Sequence, residues 1–191
     1  APRIAQPGEP GEEGRYLFEL RLMAEVGLVG YPNAGKSTLL AAISSARPKI
    51  AAYPFTTLPP QIGVLEFPNW DRLTVCDIPG LIEGAHTGKG LGIQFLKHIQ
   101  RTAFLLYLID ISEWALDDPI ETLSVLKYEL STFDDDLGER PYAIIGTKLD
   151  LQGDGSKLER LQQHCEKQQL PFFAISSATR EGLDAIVPYI S

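Results

Sequence analysis

The chain has 191 residues, 44% of them hydrophobic, with 17 Lys and Arg against 25 Asp and Glu and a formal net charge of -8. That length and composition fit one domain with a sizeable core, and the acidic balance repels nucleic acid rather than collecting it, so no direct DNA binding is expected. No stretch approaches the ~20 apolar residues of a membrane span. Cys76 and Cys165 stand far apart without metal-ligand spacing, which suits free thiols in a reducing compartment.

The first fifteen residues are rich in Pro, Gly and Glu and read as a tail, a linker or the edge of a preceding domain. "RYLFELRLM" alternates like a strand and can belong to that preceding module, whereas "EVGLV" is the short continuous apolar run of a strand buried on both faces. "KSTLLAAISSA" has helix-forming composition; "QIGVLEF", "LTVCDI" and "AFLLYLIDI" read as strands. Then come the helix "PIETLSVLKYEL", the strand "YAIIGT", the polar helix "SKLERLQQHCEKQ", the strand "FFAIS" and a short last helix from Glu181. The acidic run Asp134 to Asp136 reads as a solvated loop. Strands alternating with helices predict a three-layer α/β/α fold with a mainly parallel sheet of about six strands.

Four stretches carry chemistry. "GYPNAGKST", Gly30 to Thr38, follows a strand and opens a helix, with the G-x-x-x-x-G-K-[ST] spacing of a phosphate loop. Gly30 and Gly35 permit close backbone approach, Asn33, Ala34 and Thr38 belong to the cradle, Lys36 can reach terminal phosphates, and Ser37 can give a hydroxyl to Mg²⁺. This makes the fold a P-loop NTPase. "DIPG", Asp77 to Gly80, closes a strand: its carboxylate can hold Mg²⁺ through water, and the Gly80 N–H can sense a γ-phosphate.

"TKLD", Thr147 to Asp150, also ends a strand. The Asp150 carboxylate can accept from both N1–H and the exocyclic amine of guanine, which adenine cannot match. Lys148 can lay its stem along the base or the phosphate loop. "SSA", Ser176, Ser177 and Ala178, can offer backbone N–H groups to the guanine O6.

These stretches, with "ARPKIAAYPFTTLPPQIGVLE", "DIPGLIEGAHTGKGLGIQFLKHIQRT" and "LIDIS" between them, resemble the Obg GTPases over long continuous runs. The resemblance implies a GTPase G domain over 24–191, preceded over 1–23 by a linker and the end of a truncated N-terminal Obg domain. It implies that Phe55, Thr56 and Thr57 form switch I, with Thr57 joining Ser37 and Asp77 on Mg²⁺. Lys36, Thr57, Gly80 and Asn33 would be the catalytic set, converting GTP to GDP and phosphate. Where Ras-like enzymes place a water-orienting glutamine after this glycine, the chain has Leu81, so hydrolysis is expected to be slow.

Asn33 occupies a position at which related GTPases often bind K⁺ beside the phosphates. The family usually has Asn where Thr147 stands. Resemblance further implies a molecular switch in large ribosomal subunit assembly and in stress or growth control, docking on the large subunit through the missing N-terminal domain. The bacterial cytoplasm fits, as does an organelle matrix. Two alternatives stay open. One is an Obg-like ATPase of the YchF type, against which Asp150 argues; the other is a nucleotide-sensing interaction module with negligible turnover, which Leu81 keeps alive.

Overall fold

The computed structural model describes Gly14 and residues 24–50, 60–67, 70–78, 102–133 and 135–190. Its strands are β1 (Val26–Gly30), β2 (Lys49–Ile50), β3 (Gln61–Glu66), β4 (Arg72–Asp77), β5 (Phe104–Asp110), β6 (Tyr142–Thr147) and β7 (Phe172–Ala174). Its helices are α1 (Lys36–Ile43), α2 (Pro119–Phe133), α3 (Asp135–Gly138), α4 (Ser156–Lys167) and α5 (Leu183–Tyr189). The strands form one sheet in the order β2-β3-β4-β1-β5-β6-β7. β1 runs parallel to both β4 and β5, and β5, β6 and β7 continue in parallel, while β3 is antiparallel to β2 and β4.

Period-two alternation in the central strands separates the core into two layers. Leu105, Tyr107 and Ile109 of β5 and Ile144 of β6 face α2 and α4, meeting Leu123, Leu126, Leu130, Leu161 and Cys165. Leu106, Leu108, Ala143 and Ile145 face the other way, onto Leu39 and Leu40 of α1 and Leu183 and Ile186 of α5. The residues of α2, α4 and α5 recur at three- and four-residue spacing, so each of these helices buries one stripe. β1, covered on both faces, is buried at all of its positions, which explains why it reads as an unbroken apolar run.

Register places the chemistry on one edge. Gly30 lies opposite Leu108, Leu28 opposite Asp77, and Asp110 opposite Thr147, so the carboxyl ends of β1, β4, β5 and β6 come level. This is the edge at which open α/β sheets bind ligands.

Among the described residues the sheet has seven strands rather than about six, because the exposed pair Lys49–Ile50 adds an antiparallel edge to β3. Two solvent-facing residues carry no hydrophobic period by which a strand could be recognised. The acidic run also differs: Asp135 and Asp136 are exposed as expected, but they start α3, which is anchored by the buried Leu137. "RYLFELRLM", Leu81 and the glycine-rich segment after it lie outside the described residues. Both cysteines are buried free thiols. Among the described residues no helix is long and apolar enough to cross a membrane.

Candidate functional site

Between β1 and α1 the chain must turn sharply, and two residues in left-handed backbone make it do so: Asn33 at φ 62 and Gly35 at φ 94. Gly30 is required for a different reason. A Cβ there would stand 2.7 Å from the Leu108 carbonyl oxygen, closer than any side chain tolerates. Lys36, only 9% exposed, folds back over the loop and donates from Nζ to the carbonyls of Gly30 (2.9 Å) and Tyr31 (3.0 Å).

One residue on, Ser37 Oγ donates to Asp77 Oδ2 at 2.9 Å. Asp77 is 7% exposed, and its other oxygen, Oδ1, is buried without a hydrogen-bond partner among the described residues. Burial pushes the Asp77 carboxyl above its ordinary value, against the opposing pull of the Lys36 charge and the Ser37 hydrogen bond. A buried carboxylate oxygen with nothing to accept from is costly, and together with a serine hydroxyl it forms a hard oxygen donor set of the kind Mg²⁺ takes. Among the described residues no group of three or more His, Cys, Asp or Glu could hold a metal by itself.

At the far end, Thr147 is 2% exposed and reaches back to the phosphate loop. Its hydroxyl donates to the Ala34 carbonyl at 2.7 Å, with the Ile109 carbonyl at 3.2 Å. Lys148 follows in left-handed backbone at φ 62 and caps the 3₁₀ turn Leu149–Leu151 that carries the exposed Asp150. That turn is fixed on two sides, by Leu149 N donating to the Ile175 carbonyl (3.0 Å) and by Glu113 N donating to the Leu151 carbonyl (2.8 Å).

A cavity of about 400 Å³ joins the two ends, lined by Asn33, Gly35, Lys36, Ser37 and Thr38 on one side and Thr147, Lys148, Asp150, Ser177 and Ala178 on the other. Leu151, which the motifs do not single out, lines it too. Gly30, Ala34 and Asp77 do not line this cavity; they act from behind it as acceptors of the hydrogen bonds described above.

Ser176 does not line the cavity. It is fully buried, its Oγ accepts from Thr179 N at 3.0 Å and its amide donates to the Glu181 carbonyl at 3.0 Å, so the turn consumes the N–H that was expected to meet a base. Phe55, Thr56, Thr57 and Gly80 lie outside the described residues.

Residues 25–148 match the family described as the 50S ribosome-binding GTPase. The chain belongs to that family. Over all of its 191 residues it is 50% identical to the GTPase Obg of Thermodesulfovibrio yellowstonii, and over 186 residues it is 52% identical to that of Solibacter usitatus. It spans 57% and 55% of those two relatives, a little over half their length. The resemblance to Obg read from the motifs is thus borne out.

Solved structures show the same fold at greater distance. The G domain of the T. maritima FeoB iron transporter is 21% identical with a TM-score of 0.62, covering 88% of this chain and 97% of that one. Aquifex aeolicus Era bound to GDP and AlF4⁻ is 23% identical with a TM-score of 0.61, covering 86% and 55%. The α/β P-loop GTPase fold expected from the sequence is the fold observed.

Proposed function

We propose that this chain binds GTP and GDP with Mg²⁺ and hydrolyses GTP slowly to GDP and phosphate, as a molecular switch in large ribosomal subunit assembly and in stress or growth control. The carrying observation is a cavity lined on one side by the phosphate loop and on the other by the Lys148–Asp150 turn. Polyphosphate would lie on the loop and the base at the turn, where Asp150 accepts from guanine N1–H and the exocyclic amine.

Ser37 and Asp77, with Thr57 by resemblance, would hold Mg²⁺. When bound, the ion supplies positive charge to the β- and γ-phosphates. Lys36 and the backbone N–H groups of the loop neutralise phosphate charge in a preorganised cradle, which is most of what phosphoryl transfer asks of a protein. Gly80, Phe55 and Thr56 enter the proposal on resemblance alone. So does the division into a G domain over 24–191 and the end of a further Obg domain over 1–23. The acidic net charge favours ribosome docking through that other domain rather than through this one. Bacterial cytoplasm, or an organelle matrix, is the proposed compartment. Asn33 is the proposed contact for K⁺.

Calorimetric titration of GDP and ADP in Mg²⁺, with Asp150→Asn alongside, tests the base assignment. A GDP preference of ~10²-fold or more that collapses in the variant is the expected result, the scale seen when buried polar groups lose their partners. Equal binding of ADP would overturn the guanine reading and leave the YchF-type ATPase ahead. Single-turnover phosphate release in KCl and in NaCl completes the test: faster release in KCl is expected, equal rates would remove K⁺, and no release in either salt would leave a nucleotide sensor.

A further inference from the structure

A second cavity of about 320 Å³, lined by Asp110 and Trp114 among others, shares Asn33 and Lys148 with the first. Lys148 and Asn33 thus border both cavities, and Asp110 lines only the second. Asp110 Oδ2 stands 2.5 Å from Lys148 Nζ, with the two side chains only 23% and 32% exposed. The other carboxylate oxygen, Oδ1, accepts from Ser112 N at 2.9 Å, a turn that fixes its direction. Burial pushes the Asp110 carboxyl up, but hydrogen bonds from Lys148 and Ser112 and the Lys148 charge outweigh it and hold the group below its ordinary value.

We infer that Asp110 is a positioning residue for the nucleoside end of the site: it draws the Lys148 ammonium toward the second cavity and leaves the lysine's methylene stem as the wall against which a bound guanine nucleoside packs. The inference rests on the guanine reading above. Lysine is a flexible side chain whose head is ordinarily drawn to water, and at the cavity edge it would sweep the space a base needs. An anchored carboxylate removes that freedom before ligand arrives, so less ordering remains to be done on binding. Lys148 also sets the start of the 3₁₀ turn bearing Asp150, so the restraint extends to the base-reading carboxylate.

A double-mutant cycle on dissociation of a fluorescent GDP analogue tests this, using Asp110→Asn, Lys148→Met and the pair. Asparagine keeps an acceptor for Ser112 N, and methionine keeps a stem without the charge. Asp110→Asn is expected to speed dissociation about tenfold, Lys148→Met by at least as much, and the pair no more than Lys148→Met alone. Asp110→Glu, which retains the charge, should recover part of the loss, and Asp110→Ser, which removes the charge but keeps an acceptor for Ser112 N, replaces Asp110→Asn in the cycle if the asparagine variant does not fold.

Additive effects in the pair would overturn the inference, because Asp110 would then act on the fold and not through Lys148. So would unchanged dissociation in Asp110→Asn while Lys148→Met is fast. If Lys148→Met is itself silent the inference fails too, and the GDP preference over ADP, with its dependence on Asp150, reports separately on the guanine reading.

Discussion

At the phosphate-loop end the groups come from one continuous stretch, Gly30 to Thr38, with Lys36 buried and satisfied by carbonyls five and six residues before it. At the proposed nucleoside end Lys148, Asp150, Ser177 and Ala178 come from two separate turns and sit half-buried or exposed at the rim. Contacts across 38 residues, from Asp110 to Lys148, and across 113, from Thr147 to Ala34, hold that end in place. A site built from local backbone is set as soon as its strand and helix form. One built from distant turns depends on the whole sheet being in register, and single substitutions around it can loosen it without touching the ligand.

The largest effect should fall at the local end. Lys36→Met removes the buried cation and leaves the Gly30 and Tyr31 carbonyls short of a donor. Charge-assisted hydrogen bonds are worth roughly 1.5–3 kcal/mol each, so titration calorimetry should read a loss of ~10²-fold or more for GDP and GTP alike. A loss under tenfold would mean that the backbone cradle alone carries the phosphates.

Next comes the link between the two ends. Thr147→Val keeps the shape of the side chain and removes the hydroxyl, so the Ala34 carbonyl loses a donor in a buried place. That costs roughly 1–3 kcal/mol, visible as a lower urea midpoint and as GDP dissociation faster by about tenfold. Thr147→Asn supplies an amide donor from the same position and should restore most of both. Destabilisation with unaltered GDP dissociation would show that the two ends are independent, against the comparison drawn above.

What could be read from the sequence follows the same division. The phosphate loop, β5, α2 and α4 were legible because their signals are local: fixed glycine spacing, a continuous apolar run, and apolar residues three and four apart. β2 was not, because Lys49 and Ile50 pair only through backbone and bury nothing. Asp110 stood inside the quoted "LIDIS", but nothing in five letters tells a carboxylate that its partner is Lys148, one residue beyond the neighbouring strand; only the pairing of Asp110 with Thr147 does. Ser176 shows the converse limit: a Ser-Ser-Ala turn displays its composition and not that the Ser176 amide donates to the Glu181 carbonyl.

The smallest effect isolates Asp77, and its sign sets it apart from Asp110. Burial raises the Asp77 carboxyl in the folded chain, so the folded chain holds a proton to higher pH than the unfolded chain does. Its contribution to stability is therefore fullest below the ordinary carboxylate value, declines as pH rises from there to the raised folded value, and stays flat above. Asp110, held below its ordinary value, gives the opposite slope, with stability lost as pH falls toward its lowered value. The parent chain sums these, so its curve alone separates neither. Comparing urea midpoints of the parent and Asp77→Asn across the acidic range, without nucleotide or Mg²⁺, removes only the Asp77 part. The difference, variant minus parent, should grow as pH rises through the window and then level off. A difference that shrinks over that window would mean that Asp77 is stabilised as the carboxylate even without a cation, and its unpartnered oxygen would no longer support the Mg²⁺ assignment.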